Sequence, residues 1–312
     1  MELKLNSAER KQISTDLITL DVDEFDISGQ RVRYVTTDVH SIKRNRSLLT
    51  KEPLTLPWIS TFEPDDVYVD VGANVGMYAI YAGARGVKVY AFEPEALNYA
   101  ELNKNIFVND LHGRVKAYCM AISDAADVSV LYLSGFSVAY SHHDFGENRW
   151  SDDKTIGSVK LAKTSRLQQG CVSFPLDTLV STKKIEPPNH LKIDVDGFEW
   201  KVVKGAQDIL RSEELKTILL EVDFALPESV ALIDHLTELG WHYSGDQIRI
   251  NQHIVLPPGK IDSLKRRGKG GANYIFFKDV EFYTDFFRKF LETYVPPNPL
   301  SKRAAGPAHP AV

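Results

Sequence analysis

Two cysteines and three methionines in 312 residues leave little sulfur chemistry to build on. Cys119 and Cys171 supply neither a disulfide framework nor a metal-ligand set, so buried or free thiols are expected. No run approaches the ~20 apolar residues of a membrane-spanning helix. The opening MELKLNSAERKQ carries charges and no apolar stretch, unlike a secretory leader. A basic excess is missing too: 37 Lys and Arg face 42 Asp and Glu, a net charge of −5 with no general attraction to nucleic acid or anionic membrane. The expectation is a cytoplasmic protein with a small-molecule or glycan substrate and neither nucleic-acid nor membrane partners. Composition says nothing of its oligomeric state.

What is present is a core. With 43% apolar and 25% charged residues the chain has the balance of an enzyme-sized globular protein. The first 66 residues alternate polar and apolar, as in RVRYVTT, with a turn signal at Ser28-Gly29, and read as a short helix plus a few strands. From Val67 the pattern becomes strand–helix–strand: VYVDV, GMYAIYAGARG, KVYAFE, EALNYAELNKNIFVN, VKAYCMAIS. Such alternation predicts βαβ units and a parallel sheet. Residues 134–174 interrupt it with a polar stretch of no sustained period, read as an insertion over the sheet's edge. The alternation resumes with HLKIDV, the helix GFEWKVVKGAQDILRS, the strand LKTILLEVDF and the helix LPESVALIDHLTELG, closed by Gly240. WHYSGDQIRI and NYIFFKD follow as an antiparallel pair, then an amphipathic helix over about 281–294 and a proline-rich tail expected to be disordered.

The turn after VYVDV lacks two of the three glycines of a dinucleotide fingerprint. Gly72-Ala73-Asn74-Val75-Gly76 puts Asn74 and Met77 where the second and third would stand. An acid, Asp70, sits in the strand end beside it and would repel a pyrophosphate. S-adenosylmethionine fits better, because it carries a sulfonium and an amino group and its carboxylate can meet N–H groups at the helix start. Glu93, a little over twenty residues on at the next strand end, is placed to accept hydrogen bonds from a ribose. After the third strand, Ala121 and Ile122 could pack on adenine while Asp124 takes its amine. Each acid also has a plain reading as a helix cap or turn residue.

A second anomaly lies in LKIDVDGFEWKVVKGA. Lys192, Asp194 and Asp196 alternate with Leu191, Ile193 and Val195 and so share one face of a strand, where a central parallel strand is normally apolar on both. Glu199 follows in the first helical turn, and the next strand adds Glu221 and Asp223. Methyl transfer to an alcohol needs a general base within hydrogen-bond reach of the hydroxyl. The candidates are Asp194, Asp196, Glu199 and the pair His142-His143 in the insertion. The plainer reading has Lys192 neutralising Asp194 while Asp196 and Glu199 cap the helix. Several oxygen ligands could together hold a hard cation, but spacing alone assigns none.

Together VDVGANVGMYAIYA, AFEPEALNYAELNKN, FPLDTLV, LKIDVDGFEWKVVKGA and ILLEVD resemble the FkbM family of S-adenosylmethionine-dependent methyltransferases, with NYIFFKD similar to that family's closing strand. The likeness runs from about Phe62 to Lys278. It implies a class I methyltransferase α/β fold, Rossmann-like, with a mainly parallel seven-stranded sheet, one antiparallel strand and helices on both faces. It also implies O-methylation, commonly of a sugar or polyketide hydroxyl. Residues 1–61 become a lead-in, 62–295 the methyltransferase domain and 296–312 the tail. By position, Asp70, Gly72, Asn74, Gly76 and Glu93 line the cofactor site, and Asp194, Asp196 and Glu199 stand beside the transferring methyl. Asp196 is one methylene shorter than the usual glutamate, and Phe198 and Trp200 replace smaller residues.

Two rival readings remain: a non-catalytic nucleoside-binding scaffold and an NAD-dependent oxidoreductase, the latter opposed by the missing glycines. A nucleic-acid amino-methyltransferase is set aside because EPPNH precedes the fourth strand and lacks the aromatic residue. The loop 259–271, with Lys260, Lys265, Arg266, Arg267 and Lys269, reads as solvated or as a clamp on an anionic substrate. Phe136, Tyr140, Phe145 and Trp150 in the insertion suit stacking on sugars or packing onto the sheet.

Overall fold

The computed structural model describes residues 8–14, 18–48, 50–147, 155–156, 159–160, 167–222, 227–251 and 272–293. The loop 259–271, the tail from 296, Trp150 and Asp223 lie outside the described residues. The chain opens with β1 (Glu9–Ser14), β2 (Thr19–Ile27) and β3 (Gln30–Val35), an antiparallel sheet. Ser28 and Gly29 both take positive φ, 53° and 87°, the turn that matches the twist of a two-residue hairpin. Helices α1 (Val39–Arg46) and α2 (Thr55–Ile59) lead into the main unit.

That unit runs β4 (Val67–Val71), α3 (Met77–Ala84), β5 (Lys88–Phe92), α4 (Ala96–Val108) and β6 (Val115–Tyr118). The chain then leaves for β7 (Ala121–Ile122), β8 (Asp127–Tyr132), β9 (Asp144–Phe145), the small hairpin β10 (Thr155–Ile156) and β11 (Val159–Lys160), and β12 (Gln168–Phe174). It returns through α5 (Leu176–Ser181), β13 (His190–Ile193), α6 (Glu199–Lys204), α7 (Gln207–Arg211) and β14 (Thr217–Val222). It closes with α8 (Pro227–Glu238), β15 (His242–Tyr243), α9 (Asp246–Asn251), β16 (Ala272–Phe277) and α10 (Val280–Thr293). The main sheet has seven strands in the order β15-β16-β14-β13-β4-β5-β6, and only β16 runs against the others. This is the class I methyltransferase fold.

Alternation along the strands sorts the core into two layers. In β4, Val67, Val69 and Val71 join a cluster with α6, α7 and α8, while Tyr68 faces α2 and α3. The second layer also takes Phe25, Val32 and Tyr34 from the lead-in and Tyr283, Phe287 and Phe290 from α10. Lead-in, sheet and last helix therefore share one core. None of the described helices is long and apolar enough to cross a membrane.

Three local expectations change. The helix read over 197–212 is two, α6 and α7, broken at Gly205, where a Cβ would lie 2.1 Å from the Ser123 carbonyl oxygen. WHYSGDQIRI keeps only two strand residues because the Gln247 side chain takes over the pairing: it accepts from Ile275 N at 2.6 Å and donates to Ile275 O at 2.8 Å. The 134–174 insertion is not aperiodic throughout, since β12 pairs with β8 and β7 in a second, four-stranded sheet, ordered β7-β12-β8-β9.

At the sheet's far end His190 is buried beneath the Phe62 ring, stacked 3.6 Å away. Its ring nitrogens meet Asp66 Oδ2 at 3.0 Å and Thr217 Oγ1 at 2.6 Å, and Trp58 Nε1–H donates to that same hydroxyl. Burial outweighs the neighbouring Asp66 charge and holds His190 below its ordinary 6.5. The folded state thus binds a proton less readily than the unfolded chain, so this network stabilises fully above about pH 6.5 and weakens as pH falls below it. Because other groups of the fold titrate in the same range, the measurement is a difference: in thermal unfolding followed by circular dichroism, the Tm gap between wild type and His190→Gln should be widest at pH 7 to 8 and narrow toward pH 5. At neutral pH the substitution should cost about 1–3 kcal/mol.

Candidate active site

The site is a cleft at the C-terminal ends of β4, β5, β13 and β14, where open α/β sheets bind ligands. It holds about 1170 Å³ including its open mouth, room for a nucleoside and a second small molecule.

Its floor is made by charge pairing between adjacent strands. Lys192 and Asp70 are register partners on β13 and β4. The Lys192 ammonium lies 3.1 Å from Asp194 Oδ2 and 3.5 Å from Asp70 Oδ1, with only 2% of the side chain exposed. Burial opposes this charge, yet Asp194 and Asp70 raise the lysine above its ordinary value. Burial likewise works against Asp194, and Lys192 outweighs it and holds the carboxyl well below the usual range. Asp70 is deeper and farther from the shared ammonium, so burial pushes it up. Asp70 is thus a buried support for Lys192 and not part of the cleft wall that was expected of it.

Gly72 lets this floor meet the nucleotide turn. It has φ +78°, and a Cβ there would lie 1.9 Å from the Asp194 carbonyl oxygen. Asn74 follows at φ 52° and donates from its side chain to Tyr140 O at 2.8 Å, and both line the cleft. Gly76 does not: it starts α3, and a Cβ would strike Leu102 at 2.2 Å. Glu93 is buried at the end of β5 and accepts from Asn74 N at 2.8 Å and Glu95 N at 2.9 Å. Burial lifts its carboxyl to about 7. Beyond it Phe92, Met120, Ala121, Ile122, Leu131 and Phe145 make an apolar end. Asp124 is not there, being exposed beside a separate shallow depression.

The opposite wall is a strap from the insertion. Asn98 accepts from Ala139 N at 2.7 Å and donates to Tyr140 O at 3.0 Å, and Ser137 donates to Asp38 at 2.6 Å. Held so, Ala139 and His142 take φ of 63° and 65°, conformations that cost about 1 kcal/mol or more in such residues and mark a constrained site. Asp196 is left-handed as well, φ 55°, so it departs from the strand face expected to carry it. That bend turns its carboxylate onto the strap, where it accepts from His142 N at 2.6 Å and lies 2.9 Å from His142 Nδ1. Asp196 raises His142 above its ordinary value, and that pairing outweighs burial and holds Asp196 low.

His143 is a different group. Its Nδ1 accepts from Ser134 N at 3.2 Å, which leaves the proton on Nε2. That Nε2 is buried without a hydrogen-bond partner among the described residues, and burial lowers the ring's affinity for a second proton. Glu199 lies outside the cleft lining, where one oxygen accepts from Val195 N and Gly197 N, both at 3.0 Å. It shapes the bend that places Asp196, and burial lifts it to about 7. Glu221 does reach the cleft, and burial with Asp194, Asp196 and Glu199 nearby pushes it well above the carboxylate range. Oxygens of Asp194, Asp196 and Glu221 lie within 4.8 Å of one another. Since Lys192 already holds Asp194 and His142 holds Asp196, no cation is assigned there. Arg44, Lys51 and Glu52, from the lead-in, also line the cleft. No local pattern in the sequence marks them.

The family model described as the methyltransferase FkbM domain matches residues 70–243, more than half of the chain. This chain belongs to the FkbM methyltransferase family. The hexuronic acid methyltransferase AglP of Haloferax volcanii is 26% identical over 193 residues, covering 60% of this chain and 69% of its own. The 31-O-demethyl-FK506 methyltransferase FkbM of Streptomyces tacrolimicus is 30% identical over 188 residues, covering 54% and 71%. A solved FkbM methyltransferase from Methylobacillus flagellatus overlaps 70% of this chain and 45% of that one, at 11% identity and a TM-score of 0.41.

Membership implies S-adenosylmethionine as methyl donor, and the cleft suits it: a bare turn at Gly72, a buried carboxyl for a diol at Glu93 and an apolar end for a base. If Glu93 holds the ribose as the sequence suggests, only its ionised form can accept from both hydroxyls, and protons would compete with the nucleoside. Calorimetric titration with S-adenosylhomocysteine should therefore show affinity weakening below pH 7, by up to about tenfold per unit. Glu93→Gln should bind more weakly and lose the slope.

Proposed function

We propose that this FkbM-family chain is an S-adenosylmethionine-dependent O-methyltransferase acting on a hydroxyl of a carbohydrate or other natural product. The observation that carries the reading is the His142–Asp196 pair at the cleft wall. Asp196 engages both the backbone N–H and Nδ1 of His142, so the neutral ring keeps its proton on Nδ1 and presents the Nε2 lone pair. That is the arrangement of a general base oriented by a carboxylate, which also steadies the imidazolium once it forms.

S-adenosylmethionine, when bound, supplies the methyl group as an electrophile on positively charged sulfur. In this reading Gly72, Asn74 and Glu93 hold its amino-acid and ribose parts, and Met120, Ala121 and Ile122 pack on its adenine. His142 takes the hydroxyl proton as the oxygen acquires its new bond to carbon. His143, with Nδ1 committed to Ser134, is not a base and offers an N–H to orient the acceptor. Asp194, kept ionised by Lys192, favours the positive charge brought by the donor. Tyr78, Tyr140 and Phe198 offer apolar faces to a sugar ring or macrocycle. The relatives named for hexuronic acid and 31-O-demethyl-FK506 support small oxygenated acceptors over nucleic acid.

The test is turnover against an acceptor panel, followed by release of S-adenosylhomocysteine. His142→Ala should lower kcat by about 100- to 10,000-fold with nucleoside affinity unchanged. Activity must require the deprotonated ring, so kcat/KM should rise with pH through a value above 6.5. Asp196→Asn should shift that limb downward. Full kcat in His142→Ala would remove His142 as the base.

A further inference from the structure

Resting on the methyltransferase reading, a second feature concerns what else the cleft grips. Arg44 lines it from α1, outside the residues matched by the family model. It is half-buried, and among the described residues the one hydrogen bond of its side chain runs from Nη2 to Ala139 O at 3.3 Å on the strap. No carboxylate lies within ion-pair distance of it among the described residues, and the rest of its donor fork is unspent. The neighbouring cations are all engaged: Lys51 with Glu52 at 3.2 Å, Lys192 with Asp194 and Asp70, Arg46 with Asp23.

Nor is Arg44 a loose surface side chain. Its helix is fixed at the start by a capping box between Asp38 and Ser41. It is fixed again by buried Asn45, which donates to Val35 O at 3.1 Å. Ser137 ties the helix start to the same strap that Arg44 reaches. A partly desolvated guanidinium, held in place and lacking a counter-ion, is costly unless a ligand completes it. Its planar fork matches a carboxylate bidentately.

We propose that Arg44 is an anion-recognising residue of this cleft and binds a carboxylate brought by a ligand. Two ligands can bring one: the methionyl end of the cofactor, or an acidic acceptor such as a uronic acid. The acids along the floor do not forbid it, because Lys192 offsets part of the Asp194 charge, Asp196 is turned onto His142 and burial pushes Glu221 toward its protonated form.

Two paired titrations of the full chain decide. The first compares S-adenosylhomocysteine with its decarboxylated form, S-adenosyl-3-thiopropylamine. The second adds methyl glucuronide or methyl glucoside to the S-adenosylhomocysteine complex. The wild type should prefer the acid in at least one pair by about tenfold or more. Arg44→Gln should abolish that preference and Arg44→Lys should recover part of it, with the decarboxylated nucleoside binding all three proteins equally as a check on folding. Loss in the first pair assigns the carboxylate to the cofactor, and loss in the second assigns it to the acceptor. No preference in the wild type, or one that survives in Arg44→Gln, overturns the assignment while leaving the methyltransferase reading intact. Failure of the wild type to bind either nucleoside overturns both.

Discussion

Everything at the cleft depends on one buried ammonium shared by two carboxylates. Lys192 sits at the end of β13 directly beside Asp70 on β4, and all three charged groups are largely removed from water. Burying such charges costs several kcal/mol per ion unless each is paired. The pairing is possible only if the chain leaving β13 passes close over the chain leaving β4. Gly72 permits that approach, since any side chain there would collide with the Asp194 carbonyl. A breach of the trio would open the floor and leave an uncompensated charge between central strands.

The other charges of the cleft are separated by what each one touches. Asp194 is kept ionised by a lysine, Asp196 by a histidine, and Glu221, with neither, is driven toward its protonated form. Two adjacent histidines diverge for the same reason, because one faces a carboxylate and the other a backbone N–H. In our reading this division gives one base, one donor and one fixed negative charge within a single cleft. The left-handed residues Asn74, Ala139, His142 and Asp196 are where the backbone is bent to achieve it.

Much of this was legible in the sequence. Short apolar runs alternating with helical stretches predicted βαβ units, a parallel sheet and a closing antiparallel pair, because burial on both sheet faces leaves a strong pattern, while the count of seven strands with one reversed came from the resemblance to the FkbM family. Of the acidic anomaly after Leu191, the structure brings Lys192, Asp194 and Asp196 to the cleft. What failed was detail set by tertiary contact. Asp70 and Gly76 match the nucleotide motif, yet one is consumed beneath the floor and the other by packing against Leu102. Glu199 looked like a member of the acidic group until its oxygen was found closing the loop that carries Asp196. Arg44, Lys51 and Glu52 lie outside the family match, and only the fold brings them to the cleft. The Gln247 side chain that stands in for a strand has no local signature either.

The central claim is that one cleft holds a nucleoside methyl donor with its sulfur turned toward His142 and Asp194. The most direct test is a crystal structure of the protein with S-adenosylhomocysteine. The account predicts the ribose hydroxyls on Glu93, the adenine against Met120 and Ile122, and the thioether sulfur facing the space between His142 Nε2 and Asp194. A nucleoside bound elsewhere, or one whose sulfur points away from His142, would contradict it.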